Sequence, residues 1–367
     1  MSSTPTRADR HGRRGGRLRV AVTRAAGRPG SAVAGELVRQ GLAVVGLDTR
    51  AGELPEVQWR PCDVAAPSVV TALEGVDVLV HLAAEHDLAA TLREASGTRR
   101  ARLLAEARAL TTAAGAAGVE HLVLVTSAMV FGARPDNPVP LSESGPARTA
   151  DTEGPVADLV AVEEEVTALA RLHPQLRVTV VRPAALVGGV DTIVTRHFEA
   201  PRLLTLRGTS PTWTFCHVED LGSALAAVAR GGLPAELTVS APGWLSQAEV
   251  EDLSGMRHVE LAEPVARAAA DRLHRLGVVP VPADDLAYVA HPWATEPEAL
   301  LAHGWRPVHD NAACLAVLLE DVRGHHALMA RRVTARDAVG AAAAGAASAA
   351  VAVIATAALA RRRRPRE

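Results

Sequence analysis

The stretch Thr23-Arg24-Ala25-Ala26-Gly27-Arg28-Pro29-Gly30 decides the reading of this chain. A short β-rich run, residues 17–23 (RLRVAVT), precedes it. Residues 31–40 come next, with apolar Val33, Leu37 and Val38 at helical spacing. A glycine-bearing turn between a strand and a helix sets backbone N–H groups where an anion can rest. Gly27 permits close backbone approach to a phosphate, and Gly30 permits tight packing of helix on strand. Pro29 suits an early helical position, because it lacks only a donor the helix does not use there. The next apolar run, residues 42–47, ends at Asp48, 18 residues after Gly30. An acid at that place accepts hydrogen bonds from a ribose and repels a 2′-phosphate. The pattern points to a dinucleotide, with NAD favoured over NADP, although Arg50 lies close by. Arg24 stands where such turns usually carry their first glycine. Its side chain either intrudes on the phosphates or meets them as a cation, and it costs little only if φ is negative.

Working outward, apolar runs recur at residues 76–82, 121–126, 176–181 and 237–240. Helical stretches separate them, notably residues 99–117 and 156–172. Repeated strand–helix–strand order implies an α/β fold with a doubly wound parallel sheet covered on both faces. No repeat of solenoid period is evident.

The residues from Thr23 to Gly30 resemble the TGxxGxxG fingerprint of extended short-chain dehydrogenases/reductases, the NAD-dependent epimerase/dehydratase family. Further segments match in order. Cys62-Asp63-Val64 resembles the Asp-plus-apolar pair that meets the adenine. His81-Leu82-Ala83-Ala84 resembles the HLAA closing the fourth strand beside the cofactor. Thr126 to Gly132 resembles SSxxVYG, and Val181-Arg182-Pro183 with Val187-Gly188 resembles VxRPxxVYG. Phe215 to Asp220 resembles FVHVDD, and Gly304-Trp305-Arg306-Pro307 resembles GWxP. The likeness covers roughly residues 17–325. It implies a Rossmann-type fold with a smaller C-terminal substrate lobe, NAD as cofactor, and a nucleotide sugar or another hydroxyl/keto substrate. It implies cofactor contacts at Thr23, Gly27, Gly30, Asp48, Asp63, Val64, Leu82, Ala83, Ala84 and Pro183.

In that family a tyrosine begins a helix four residues before a lysine, and the pair handles the proton at the substrate hydroxyl. Here the positions hold Val156 and Val160, an apolar face shared with Leu159. The family's asparagine in the preceding helix aligns with Leu103. Ser127 keeps the place of the hydroxyl hydrogen-bond donor, with no base beside it to activate it; its plainer role is to cap the end of a strand. A positioned acid/base contributes about 10²–10⁴-fold, so its loss predicts little of the family reaction unless another group substitutes. The candidates are Asp158, Glu153, His81 and His217. Asp158 is two residues from Val156 and so lies on another helix face.

Composition narrows the alternatives. All 39 basic residues are arginine and Tyr288 is the only tyrosine, so mechanisms needing a lysine ammonium are excluded. A net charge of -2 argues against a general nucleic-acid binder. Cys62, Cys216 and Cys314 are too few and too dispersed for a disulfide framework, and the histidines show no metal spacing, so no metal is expected. Arg202 and Arg207 are candidate diphosphate ligands in the substrate lobe.

The expected organisation is a disordered basic arm over 1–16 and an NAD-binding domain over 17–183, completed by about 214–240. The substrate lobe takes 184–213 and 241–325. A basic linker comes next over 326–337, then an apolar helix over 338–360 and an Arg-rich tail over 361–367. The 338–360 segment has 23 uncharged residues, enough to cross a bilayer core of roughly 30 Å. It is mostly alanine, so the span is marginal, and a soluble Ala-rich helix is the other reading. The positive-inside rule would keep the tail in the cytoplasm, where a nucleotide-binding domain also belongs; one crossing cannot satisfy both. Three functions stay open: an NAD-binding, catalytically impaired sensor or partner-binding module at a membrane; a working oxidoreductase or epimerase with a substitute base; and a scaffold that has also lost the cofactor through Arg24.

Overall fold

The computed structural model describes residues 17–84, 86–149, 153–199, 202–275 and 286–332. The apolar segment 338–360 and both charged ends lie outside these residues. Among the described residues, no helix is long and apolar enough to cross a membrane.

The chain alternates strand and helix as its apolar runs require. β1 (Arg19–Thr23), α1 (Gly30–Arg39), β2 (Ala43–Asp48) and β3 (Gln58–Pro61) form one half of the sheet with α2 (Val69–Ala72). β4 (Val78–Leu82), α3 (Leu88–Arg93), α4 (Ser96–Ala117), β5 (His121–Val125), α5 (Pro155–Ala170) and β6 (Arg177–Pro183) form most of the other. The chain then leaves for a second lobe and returns through α7 (Val218–Arg230) and β11 (Glu236–Val239), which pairs with β6. The seven strands are parallel, in the order β11-β6-β5-β4-β1-β2-β3. Winding reverses between β1 and β4, and a crevice opens there at the C-terminal edge.

Successive side chains of each strand feed opposite layers. Val20, Val22, Val78, Val80 and Val123 pack against Val33, Leu37, Leu221 and Leu225 of α1 and α7. Ala21, Leu79, Leu122 and Leu124 pack against Leu110, Val162 and Val166 of α4 and α5. The second lobe is built from short strand pairs: β7 (Ala185–Val187) with β10 (Phe215–His217), β8 (Leu203–Leu206) with β13 (His258–Leu261), and β9 (Thr212–Trp213) with β12 (Leu245–Ser246). Its helices are α6 (Ile193–Glu199), α8 (Gln247–Ser254), α9 (Glu263–Arg275), α10 (Ala287–Ala290), α11 (Glu298–Ala302) and α12 (Asn311–Arg332). Phe198, Trp213 and Phe215 centre its core, joined by Val156 from the start of α5. Trp305 ties the end of the chain back to α7, its Nε1 donating to Ser223 Oγ at 2.9 Å.

Candidate functional site

Thr23 ends β1 fully buried. Its Oγ1 accepts the Leu82 N–H at 3.0 Å and lies 3.1 Å from His81 Nδ1, so it fastens β1 to β4 beneath the crevice. Burial, with Arg24 adding charge repulsion, depresses the His81 pKa to about 3 and keeps that ring neutral. At Gly30 a Cβ would lie 2.1 Å from the Arg24 carbonyl oxygen, so only glycine lets α1 start this close to the turn. Gly27 differs. A Cβ there would meet nothing within 4 Å, so the chain itself does not demand glycine, while an approaching ligand would. Asp48 closes the turn from β2: its carboxylate accepts the Ala26 N–H at 3.1 Å and the Thr49 N–H at 2.8 Å.

Arg24 adopts φ of 53°. This corrects the low-cost option, because a non-glycine residue in the left-handed region costs roughly 1–2 kcal/mol. Its guanidinium crosses the crevice, donating to the Leu82 carbonyl at 2.6 Å and pairing with Glu106 at 2.6 Å. Glu106 also pairs with Arg102 at 2.9 Å, and Arg102 with Glu94 at 2.7 Å. This chain of charges walls a cleft of about 370 Å³ shared by Gly27, Arg28, Asp48, Leu82, Ala84 and His86.

A second cavity of about 90 Å³ adjoins it, lined by Ala83, Ala84, His86, Arg99, Leu103, Ser127 and Val156. Ser127 Oγ accepts the Met129 N–H at 3.2 Å, which is a cap at the end of β5. Asp63, Val64 and Pro183 line neither space. Asp63 accepts the Ala65 N–H at 2.9 Å, Val64 packs on the α4 layer, and Pro183 is buried at the end of β6. The crevice thus gathers Gly27, Asp48, Leu82, Ala83, Ala84 and Ser127 of the sequence-derived set and leaves Thr23, Gly30, Asp63, Val64 and Pro183 in supporting places.

Residues 20–236 match the NAD dependent epimerase/dehydratase family. The chain belongs to that family. An uncharacterised protein of Mycobacterium tuberculosis (strain ATCC 25618 / H37Rv) is 27% identical over 191 residues, 51% of this chain and 50% of that protein. The chain therefore spans about half the length of that relative. Among solved structures, MoeE5 in complex with UDP-glucuronic acid and NAD is 22% identical, covering 83% of this chain and 99% of that one, with a TM-score of 0.61. The UDP-glucose 4-epimerase of Thermus thermophilus, in complex with NAD, is 19% identical over 84% of this chain and 99% of that one, with a TM-score of 0.61. At these identities the likeness establishes the fold.

Val156 and Val160, the pair that the sequence resemblance sets at the proton-handling positions, both lie in the first turns of α5. Val156 is 2% exposed and faces the small cavity; Val160 packs against the α4 layer. The alternatives considered from sequence are each engaged elsewhere or stand outside. Asp158 is buried, held by Arg99 Nε at 2.7 Å, and only Arg99 reaches the cavity. His81 serves the strand crosslink. His217 Nδ1 accepts the Glu219 N–H at 3.3 Å and caps α7. Glu153 is exposed ahead of α5 and lines neither space. Arg202 is exposed, and Arg207 reaches Glu260 at 3.6 Å on the surface.

Sequence reasoning missed His86. It lines both spaces, and its Nδ1 is buried without a hydrogen-bond partner among the described residues. Burial, helped by Arg24, lowers its pKa to about 4. The only sequence signal is a histidine two residues beyond the HLAA segment. The fold also brings together what spacing does not suggest: ligand atoms of His217, Glu219 and His309 lie within 4.8 Å of one another. Their bonds are those of a helix cap. Asp220 grips His309 Nδ1 at 2.7 Å, His217 is spent on α7, and Arg28 donates to the Gly188 carbonyl beside the His217 ring. A guanidinium at that place opposes a dication.

Proposed function

We propose that this chain binds NAD along the β1–β4 crevice and does not run the family's tyrosine–lysine chemistry. In this reading it is a coenzyme-binding, catalytically impaired family member that responds to its ligand. The observation that carries the proposal is the pairing of an open cradle with a sealed reaction end. Gly27 leaves room for a phosphate and Asp48 stands at the ribose position, whereas Val156 faces a cavity of about 90 Å³ beside a Ser127 used as a cap. Bound there, NAD would supply a hydride acceptor. The residues of the chain would bind and orient it: the turn at its phosphates, Asp48 at a ribose hydroxyl, Leu82 to Ala84 along its length. A nucleotide sugar is the second ligand that fits this reading, since the neighbouring structures carry UDP sugars. NADP is disfavoured by Asp48.

Calorimetry should show NAD binding at a single site, weakened by Asp48→Ala through the loss of a charged acceptor worth roughly 1.5–3 kcal/mol. Incubation with NAD and UDP-glucose should give neither NADH absorbance nor an epimerised sugar. Absence of any heat would remove the cofactor, and steady formation of NADH or of an epimerised sugar by the purified chain would remove the impairment. One observation favours a working enzyme instead: the orphaned Nδ1 of His86 at the cavity. Turnover abolished by His86→Asn would establish that reading.

The segment 338–360 completes the proposal as a membrane tether for a cytoplasmic domain. The full chain should then sediment with membranes, and a form ending at residue 337 should not. Full-length chain that stays in solution without detergent contradicts the tether.

A further inference from the structure

Arg24 is an odd residue to find in a left-handed backbone conformation, since glycine adopts φ of 53° freely and arginine does not. Strain of this kind persists where the surroundings hold it, and it concentrates at functional places. The holders are visible. The Leu82 carbonyl and the Glu106 carboxylate grip the guanidinium at 2.6 Å each, at the point where the sheet reverses its winding. The same guanidinium lines the cleft that Gly27 leaves open.

An anion entering the cleft would draw Arg24 from Glu106, and the cost of that move depends on the charge left behind. Glu106 is nearly buried, so stripping it of all cations would be costly. It would not be stripped, because Arg102 still holds its other oxygen at 2.9 Å and is steadied in turn by Glu94. Arg28, the other cation of the turn, also lines the cleft and donates to the Gly188 carbonyl at 2.6 Å. Arg24 can thus change partners without leaving Glu106 as an unpaired buried charge.

We propose that Arg24 is an exchangeable counter-ion, leaving Glu106 to clamp the pyrophosphate of a dinucleotide. The inference rests on the NAD reading above and adds a specific exchange to it. The ligand class is a dinucleotide or nucleoside diphosphate, and the arginine does with charge what the usual glycine does by leaving space. Binding is then a competition between a carboxylate and a phosphate for one guanidinium.

The test is calorimetry of wild type, Arg24→Gly and Glu106→Gln with NAD and with adenosine, each at low and high salt. Arg24→Gly should weaken NAD binding about tenfold or more, as loss of a charged hydrogen bond does. It should leave adenosine binding unchanged, because adenosine has no phosphate. The NAD affinity of the variant should also depend less on salt. Glu106→Gln should tighten NAD severalfold by removing the competitor. Arg24→Gly is expected to fold, since glycine relieves the strain. NAD binding by Arg24→Gly equal to or tighter than wild type would make Arg24 an obstruction and overturn the proposal. Unchanged NAD affinity in Glu106→Gln would overturn the exchange. Wild type that binds no NAD would instead sink the cofactor reading itself, a result separate from either.

Discussion

Replacing Asp158 by alanine should cost about 3–5 kcal/mol of stability, the usual penalty for stranding one partner of a buried ion pair. The stranded partner is Arg99, whose side chain is 4% exposed and whose Nε lies 2.7 Å from Asp158 Oδ2. Arginine cannot shed its charge in compensation. Removing both charges should behave differently. Burial raises the Asp158 pKa even though Arg99 pulls it down, so the surroundings disfavour the carboxylate despite its partner. Its Oδ1 has no hydrogen-bond partner among the described residues. The pair is therefore costly to maintain as well as costly to break, and Arg99→Met with Asp158→Leu should come close to wild type. Urea unfolding of the two single variants and the double checks this. A single Asp158→Ala change worth less than 1 kcal/mol would show that the pair does not secure α5 against α4. The comparison also bears on function: if Asp158 were a hidden base, the double variant would lose turnover while keeping its stability.

The sheet was legible because parallel strands buried on both faces read as near-continuous apolar runs, as the interiors of β1, β2, β4 and β5 do and as β6 and β11 do in part. β3 escaped because Gln58–Pro61 sits at the edge with its ends exposed and carries no apolar run. The glycine turn and Asp48 were legible because their chemistry is local to a strand end and a helix start. The motif residues Thr23 and Pro183 stand out in the sequence, yet the fold buries them below the crevice. No local pattern could reveal the wall of the cleft. Glu106 lies 82 residues from Arg24, and the two meet only because α4 packs over the C-terminal edge of β4. His309 and His217 meet for the same reason, through the return of the chain after Trp305. Long-range charge pairing is set by packing, and sequence spacing carries no trace of it.

Lowering the pH from 7 to 5 should destabilise the protein steeply, through histidines that the fold holds neutral. The folded pKa values of His81, His86 and His197 are about 3, 4 and 4, each lowered chiefly by burial. The unfolded chain takes up those protons near pH 6.5. Below that pH the unfolded state binds more protons than the native state, so stability falls as acid is added. Each histidine contributes at most about 1.4 kcal/mol per pH unit over the interval between its two pKa values. Three together approach roughly 4 kcal/mol per unit near pH 5, a large share of an ordinary domain's 5–15 kcal/mol. Asp158, raised by burial, works in the opposite sense at lower pH. The assignment can be made residue by residue. His197 stacks on Trp213 at 5.4 Å and its Nε2 has no hydrogen-bond partner among the described residues, so His197→Phe should fold and remove one proton from the slope. Arg24 adds to the depression of His81 and His86, so Arg24→Gly should raise both and flatten the curve. Equal urea midpoints at pH 7 and pH 5 would show that these rings are solvated or charged in the native state. The same crevice that presents Arg24 to a phosphate would then lack the dry floor on which its grip depends.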